Sequence, residues 1–242
     1  MTRSPTQPSD HRDQKIASPV HLAKWIKANA GALLPPVSNK QMFPEADDMV
    51  LFVSGGPNTR NDYHVNPTEE LFYQLKGDIA VRVRPLDGSK PRDVVVREGE
   101  LFLLPRWVPH RPQRPAGTLG LIVEFPRPED QLDGLRWYCP SCDALVHEVN
   151  WRLRKIDEDL ATIMNNFWNG PADTRTCRSC GHVIQRAGAI AVKQGKNGVK
   201  VVAAVDNSKA RKITPSAKQP ASNGTKRTPA KKTVKKKAGV RR

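Results

Sequence analysis

Two histidines and one glutamate stand at positions from which they could bind a metal ion together. Glu70 follows His64 by six residues, and His110 lies forty residues further on. On neighbouring strands of a barrel, the three side chains would converge on one point. Two histidines and a carboxylate on one face of a ferrous ion leave the opposite face open for substrate and dioxygen. The spacing therefore predicts a non-haem iron site, and the alternative is that each residue is an ordinary polar side chain at a strand end.

A second candidate metal site consists of two Cys-x-x-Cys pairs, Cys139 with Cys142 and Cys177 with Cys180. Such pairs favour tetrahedral thiolate ligation of zinc or iron. The 34 residues between the pairs exceed the usual zinc-ribbon interval, but an intervening helix could be looped out. Four protein ligands leave no open coordination position, so a structural role is favoured over a catalytic one. A redox dithiol is the alternative.

Charge divides the chain of 242 residues into a neutral body and a basic tail. Residues 186–242 hold 17 Lys and Arg against the single acid Asp206, whereas the preceding residues hold 23 of each sign. The tail is of low complexity, and we expect it to be disordered, as we do residues 1–17. Its basic residues would bind nucleic acid or anionic surfaces non-specifically. A solvated extension without a partner is the alternative.

The sequence carries no sign of a membrane or secretory protein. Its apolar runs are shorter than the roughly 20 residues that cross a bilayer. The first residues are polar and lack the apolar core of a signal peptide. Because Cys-x-x-Cys pairs are more often metal ligands than disulfides in a reducing compartment, we expect a cytoplasmic protein.

Short strand signals separated by turn residues dominate the chain after Pro35-Pro36. A helix precedes them, predicted to start at Ser18-Pro19 and to end near Gly31. Few helices and many short strands about ten residues apart indicate a mainly β protein, an antiparallel barrel or jelly roll. The predicted strands are 48–54, 70–75, 79–84, 93–97, 100–104 and 119–125.

The character of the sequence changes after residue 130. Apolar residues three to four apart from Trp151 to Met164 predict an amphipathic helix packed on the barrel. We therefore expect a barrel with its N-terminal helix in residues 18–130, and a small four-cysteine metal-binding segment with a helix in residues 131–185.

The spacing around the candidate iron ligands resembles the two cupin motifs. Gly77 follows Glu70 at the seventh place, and Gly99 is followed by Pro105 and then by His110. These are the glycine, proline and histidine positions of a cupin barrel. One departure concerns the first motif, which usually carries His-x-His, whereas here Asp62 stands two residues before His64.

Longer stretches around these motifs resemble one enzyme family, 3-hydroxyanthranilate 3,4-dioxygenase. The resemblance covers about residues 20–183. Within the family it is to the bacterial type, which has a rubredoxin-like second metal site. The stretches that carry it are Pro35–Gln41, Gly55–His64, Glu70–Asp78, Phe102–Pro115 and Gly120–Glu124.

The resemblance implies Fe(II)-dependent opening of the ring of 3-hydroxyanthranilate by dioxygen. The product, 2-amino-3-carboxymuconate semialdehyde, would cyclise to quinolinate in the kynurenine route from tryptophan to NAD. The resemblance also implies a homodimer and places iron or zinc in the four-cysteine site.

Site residues follow from the same resemblance. Arg60 and Arg114 would bind and orient the substrate carboxylate, for which the guanidinium fork is suited. Glu124 would face the polar groups of the substrate and accept a proton. Glu70 would lie against the substrate as well as the iron, and Asn39 belongs to a segment that lines the pocket.

Two rival functions stay open at this point. The first is a nucleic-acid-associated cupin metalloprotein, a sensor or scaffold, suggested by the basic tail. The second is a cupin isomerase or decarboxylase with another metal. A scaffold would not need the set of Arg60, Arg114 and Glu124, so that set favours the dioxygenase.

Overall fold

The computed structural model describes residues 16, 18–35, 38–187, 191–195 and 198–202. Helix α1 (Leu22–Ala28) and a 3-10 turn (Ala30–Leu33) come first, and a run of strands follows. The strands are β1 (Asn39–Met42), β2 (Val50–Gly55), β3 (Tyr63–Val65), β4 (Glu70–Lys76), β5 (Ile79–Val83), β6 (Arg92–Val96), β7 (Leu101–Leu104), β8 (His110–Gln113), β9 (Leu119–Glu124), β10 (Asp133–Tyr138) and β11 (Leu145–Trp151). The later elements are α2 (Ile156–Asn169), α3 (Ala172–Arg175), β12 (Ala191–Gly195) and β13 (Gly198–Val202).

Two antiparallel sheets form the body of the protein. One has five strands in the order β1-β2-β9-β4-β7, and the other has six in the order β11-β10-β3-β8-β5-β6. Strands distant in sequence are neighbours, as in β2 with β9 and β3 with β10, and this gives the jelly-roll connectivity of a cupin. The predicted mainly β cupin barrel is thus confirmed.

The main hydrophobic core lies between the sheets and continues under helix α2. Phe72 and Ile122 come from the five-stranded sheet, and Val81 from the six-stranded sheet. Helix α2 adds its apolar face to the same cluster, where Phe167 stacks on Trp137 with ring centroids 3.9 Å apart. The predicted packing of an amphipathic helix on the barrel is therefore present.

The start of helix α2 differs from the prediction. The helix begins at Ile156, whereas Trp151 ends strand β11. Asp159 Oδ2 accepts hydrogen bonds from the backbone N–H groups of Arg154 and Lys155 at 2.7 and 3.2 Å. These bonds satisfy two otherwise free donors and place the helix start after Lys155.

Helix α1 packs on the other face of the five-stranded sheet, where Leu22, Trp25 and Ile26 contact a cluster that contains Val53. It begins at Leu22, later than the predicted start at Ser18-Pro19, because the backbone is still extended at His21. Its end is at Ala28, and the chain continues through Gly31 in the 3-10 turn.

Strand β10 joins the six-stranded sheet beside β3, with Leu135 opposite His64. The predicted boundary between residues 130 and 131 thus falls just before a strand of the barrel sheet. A strand from the four-cysteine segment therefore lies against the candidate iron ligands.

The cupin-motif glycines occupy turns with a left-handed backbone. Gly77 has φ of 64° and Gly99 has φ of 82°. Residues with a Cβ rarely adopt these values, which is why glycine stands at both positions. The turns lead out of β4 and into β7, so they fix the strands that flank the candidate site.

The ends of the chain are described only in part. The prediction of disorder for residues 1–17 lies outside the described residues except for Ile16, and most of 186–242 lies outside them too. Inside the tail, β12 and β13 form an antiparallel pair with Val192 opposite Val201, where no regular structure was predicted. Valine, which favours strands, stands at Val192 in β12 and at Val199, Val201 and Val202 in β13. None of the helices in the described part of the chain has the length and apolar character that crossing a bilayer requires.

Candidate active site and metal centres

The candidate iron ligands meet inside the barrel. His64 on β3 and His110 on β8 are direct cross-strand partners, and Glu70 begins β4 in the facing sheet. One ligand atom from each of the three residues lies within 4.8 Å of the others, and all three side chains are buried. Two imidazoles and a carboxylate at this separation fit a single first-row divalent metal ion. The structure thus brings together the triad that the sequence predicted.

Hydrogen bonding fixes the orientation of the His110 ring. Its Nδ1 lies 3.0 Å from the carbonyl oxygen of Val108, and since a carbonyl can only accept, Nδ1 carries the proton. Nε2 then faces Glu70 Oε2 at 2.9 Å. Burial lowers the pKa of His110, but the charge and hydrogen bond of Glu70 and the Val108 carbonyl together outweigh burial and leave the pKa raised. In metal-binding histidines, the ring nitrogen that does not bind the metal usually donates a hydrogen bond to such an acceptor.

A buried ion-pair network that the sequence did not reveal starts at His64. Its Nε2 lies 2.9 Å from Asp133 Oδ1, and Asp133 accepts a hydrogen bond from Arg127 Nε at 2.7 Å. Arg127 Nη2 also donates to Glu124 Oε2 at 2.5 Å. Burial opposes ionisation of Asp133, yet Arg127 and His64 lower its pKa to about 2. The network therefore joins a candidate iron ligand to the candidate proton acceptor.

Nothing in the spacing pointed to Asp133 and Arg127. Asp133 lies 69 residues from His64 in the sequence, and Arg127 lies in a segment with no apolar period. The one available signal was the Asp-Gly pair that begins strand β10, and such a pair is equally typical of a turn.

Asp62 explains the departure from the His-x-His pattern. It is fully buried and accepts hydrogen bonds from Arg60, at 3.0 Å from Nε and 2.5 Å from Nη2. Where the His-x-His pattern would place another metal-binding histidine, this chain has Asp62, the ion-pair partner of Arg60. In addition, this pairing holds the guanidinium of Arg60 at the cavity.

Arg114 is buried with part of its guanidinium unpaired. Nη1 donates to Gln74 Oε1 at 3.3 Å, whereas Nε and Nη2 lack hydrogen-bond partners among the described residues. Burial and the charge of Arg60 lower the pKa of Arg114 to about 10, against the opposing charge of Glu70. Arg114 therefore stays charged at neutral pH and offers free donors to an anion.

Glu124 and Asn39 lie on opposite sides of β2. Glu124 on β9 is buried, and burial and the charge of Glu70 raise its pKa although Arg127 opposes them. Its Oε1 has no hydrogen-bond partner in the part of the chain that the structure describes. Asn39 at the start of β1 accepts a hydrogen bond from the Ser54 hydroxyl at 2.7 Å.

One small cavity of about 30 Å³ brings the predicted residues together. Two waters would nearly fill this space, at roughly 10 to 15 Å³ each. Ile156 and Leu160 of helix α2 supply an apolar wall. The predicted residues that line the cavity are Asn39, Arg60, His64, Glu70, His110, Arg114 and Glu124.

The four cysteines form a second cluster at the surface. Cys139 Sγ lies 3.5 Å from Cys180 Sγ, and Cys142 Sγ lies 3.5 Å from Cys177 Sγ. All four sulfur atoms are within 4.8 Å of one another, so the two pairs predicted from the sequence do meet. Such a set fits one tetrahedral metal ion.

Backbone hydrogen bonds favour the thiolate form of Cys177 in this cluster, whereas at Cys142 the Ala144 backbone bond is outweighed by the neighbouring thiols, which raise the pKa. Burial opposes ionisation of Cys177, but the N–H groups of Cys180 and Ser179 lower its pKa to about 6. Thiolate is the form that ligates metal. Gly181, with φ of 76°, provides the turn after the second pair.

Comparisons of the sequence with known proteins all match one enzyme family. The sequence profile of the 3-hydroxyanthranilic acid dioxygenase family matches residues 15–168. A 3-hydroxyanthranilate 3,4-dioxygenase of Neurospora crassa is 41% identical over 166 residues, which are 69% of this chain and 89% of the relative. One from a Jannaschia species is 46% identical over 160 residues, 66% of this chain and 87% of the relative.

Among solved structures, a cupin-2 domain protein of Shewanella frigidimarina matches 41% of this chain and 91% of its own chain. Its sequence is 16% identical to the matched part, and the TM-score is 0.34.

Proposed function

The chain belongs to the 3-hydroxyanthranilic acid dioxygenase family, and we propose that it opens the ring of 3-hydroxyanthranilate at a ferrous ion held by His64, Glu70 and His110. It is a dioxygenase of the kynurenine pathway. The observation that carries the residue assignment is the buried triad, which shares one cavity with two arginines and a second glutamate. Ferrous iron, when bound, provides open positions for the amine and hydroxyl of the substrate and for dioxygen, and passes electrons between them.

The two arginines bind and orient the carboxylate of the substrate. Arg114 has unpaired Nε and Nη2 donors inside the cavity, which would otherwise remain unsatisfied at a cost of about 1–3 kcal/mol. Arg60, which also lines the cavity, is held by Asp62 through its Nε and Nη2 edge. Two positive charges facing one carboxylate select an aromatic acid over a neutral aminophenol.

Glu124 accepts the proton that the substrate hydroxyl or amine releases on binding. Its Oε1 is free, while Oε2 is held by Arg127. The raised pKa of Glu124 brings its proton affinity closer to that of the group it would deprotonate. Asn39 is further along the cavity, where it would contact the ring substituents.

Substrate binding requires the cavity to widen, because about 30 Å³ does not accommodate an aromatic ring with a carboxylate. The wall of Ile156 and Leu160 is apolar, and a long hydrogen bond from Lys40 to Asp157, at 3.4 Å, ties its helix to β1. Its movement on binding would exclude water from the ring as the cavity closes again.

Turnover of two substrates tests this function. The iron-loaded protein is mixed with 3-hydroxyanthranilate or with 2-aminophenol, which lacks the carboxylate, and ring-cleavage product is followed by absorbance. We expect cleavage of the acid with a kcat/KM at least tenfold above that of 2-aminophenol, and the preference should disappear in Arg114→Gln. An iron-loaded protein that cleaves neither compound would overturn the proposal.

The four-cysteine cluster holds a structural iron or zinc ion. All four positions of a tetrahedral ion would be filled by thiolates, which leaves none for a substrate. The cluster lies on the segment that contributes β10 to the barrel, so its metal would hold that segment together. Metal analysis of the purified protein decides between iron and zinc.

We also propose that the protein is a homodimer. Tyr73, Leu101 and Leu103 are 37%, 66% and 53% exposed on neighbouring strands β4 and β7, and β7 is the edge of its sheet. An apolar patch on a sheet edge is typical of an interface. Sedimentation velocity should give a dimer for the natural sequence and a monomer for Leu101→Lys, and a natural monomer would refute this proposal.

The expected cytoplasmic location, and nucleic-acid binding by the basic tail, remain predictions from the sequence. A salt-dependent mobility shift with duplex DNA, compared with a chain ending at residue 187, tests the second. Among the described residues, the arginines and Glu124 at the triad favour an enzyme over a sensor or scaffold.

A further inference from the structure

A second cavity, of about 540 Å³, lies on the outer side of the six-stranded sheet. This volume is within the roughly 300 to 1,000 Å³ of small-molecule sites. Successive side chains of a strand point to opposite faces, so Arg111 points outward where its neighbour His110 points into the barrel. Tyr63 and Arg82 share this outer face. The cavity has no lining residue in common with the active-site cavity.

The sheet places two arginines of this cavity directly opposite each other. Arg82 on β5 is the cross-strand partner of Arg111 on β8. Like charges at opposed positions destabilise a sheet unless something neutralises them. Arg82 has a partner in Asp93, at 3.3 Å, but Arg111 forms no ion pair within the described part of the chain.

Arg111 is held by long and incomplete hydrogen bonds. Nη1 lies 3.4 Å from the Asn61 carbonyl oxygen, and Nη2 lies 3.5 Å from Gln113 Oε1. Its Nε is buried and has no partner among the residues that the structure describes. Burial lowers the pKa of Arg111 and the charge of Arg82 acts in the same direction, against Tyr63, Asp62 and Asp93. A buried guanidinium in this condition is costly without an anion.

A third arginine and two aromatic rings complete the cavity. The guanidinium carbon of Arg84 lies 3.5 Å from the centroid of the Tyr138 ring and 5.0 Å from that of Tyr63. That of Arg111 lies 5.1 Å from the centroid of Tyr63, so two guanidinium groups flank one ring. Both Nη atoms of Arg84 donate to Asp143, the one acid among the described lining residues, and its buried Nε has no hydrogen-bond partner in that part of the chain.

We propose that this cavity binds a small molecule carrying a carboxylate or phosphate group, which lies between Arg84 and Arg111 while its apolar part packs against Tyr63 and Tyr138. No carboxylate occupies the guanidinium fork of Arg111 among the described residues, and such a fork can bind either oxyanion in a bidentate manner. The rings of Tyr63 and Tyr138, edge to face at 5.3 Å between centroids, form an apolar corner beside it. This assignment does not depend on the function proposed for the iron site.

Calorimetry with two matched probes tests the proposal on the full-length protein with both metal sites filled. Benzoate and phenyl phosphate have the same ring and differ in the anion, so they separate the two ligand classes. Arg111→Gln removes the unpaired charge, and Arg97→Gln is the control, since Arg97 pairs with Glu100 at the surface. Arg114→Gln shows whether a probe binds in the active site instead.

We expect at least one probe to bind the natural sequence at least tenfold more tightly than Arg111→Gln. Arg97→Gln should keep the natural affinity, and Arg114→Gln should keep the binding that Arg111→Gln loses. A probe that binds all variants equally is held outside both cavities, and one that loses affinity only in Arg114→Gln is in the active site. Either result for both probes, or no binding at all, overturns the proposal. If Arg111→Gln does not fold, Arg84→Gln replaces it with the same expectation.

Discussion

Glu70 and Glu124 lie directly opposite each other on strands β4 and β9, with both side chains buried. Two buried carboxylates at opposed positions repel each other unless cations stand on both sides. Arg127 pairs with Glu124, and the imidazole of His110 faces Glu70 at 2.9 Å. The partner of each glutamate therefore indicates its role. Glu70, beside His110, is assigned to the metal, and Glu124, beside Arg127, is assigned to the substrate.

Arg127→Gln should destabilise the protein strongly, because Glu124 and Asp133 would lose their shared counter-charge. Removing one partner of a buried ion pair costs about 3–5 kcal/mol. The free energy of unfolding in urea measures this loss. Arg97→Gln breaks an exposed surface ion pair with Glu100 and should change the free energy of unfolding far less. Equal losses for the two variants would show that Arg127 is not structurally important.

Asp133→Asn should weaken iron binding while the protein stays folded. Asp133 lies 2.9 Å from His64 Nε2 and holds the ring of a ligand in place. Loss of such an outer partner typically reduces metal affinity by about 10- to 100-fold. Competition with a ferrous chelator measures the affinity, and Asp93→Asn on the outer face is the matched control. Iron affinity that is equal in both variants would remove Asp133 from the site.

Gly120→Ala should raise KM without loss of bound iron. A Cβ at Gly120 would lie 2.7 Å from Arg114 Nη1 and 3.0 Å from Gln74 Oε1, so the guanidinium must move. Steady-state kinetics and iron content of one preparation measure the two effects. Gly31→Ala is the control, since a Cβ there meets nothing within 4 Å among the described residues. A KM that Gly120→Ala leaves unchanged would show that the position of Arg114 is not critical for substrate binding.

The sequence predicted much of the site because glycine and proline spacing fixes how cupin strands turn. Gly77 and Gly99 have the left-handed backbone that glycine adopts readily. His110 follows Gly99 at the spacing that the cupin motif predicts. The histidines were expected on neighbouring strands, but strands β3 and β8, which carry them, were not among the six strands whose bounds were predicted. Tyr63–Val65 has three residues and His110–Gln113 contains Pro112, so neither shows a measurable alternation.

The network around Asp133 could not be predicted for a different reason. Its contacts with His64 and Arg127 arise when β10 pairs with β3, and cross-strand pairing of distant segments leaves no trace in local spacing. The same holds for Arg82 opposite Arg111. Long-range register, rather than residue type, decides these contacts.

Oxygen consumption in the presence of substrate tests the central claim, that the buried triad and its arginines form a ring-cleaving iron site. The anaerobically purified protein is reconstituted with ferrous iron and mixed with 3-hydroxyanthranilate in air-saturated buffer. An oxygen electrode then follows uptake while absorbance follows the product. His110→Ala is compared with His147→Ala, which changes a half-buried histidine away from the iron ligands. The account predicts one oxygen consumed per substrate for the natural sequence and for His147→Ala, and none for His110→Ala. Unchanged oxygen uptake by His110→Ala, or no uptake by the iron-loaded natural sequence, would contradict it.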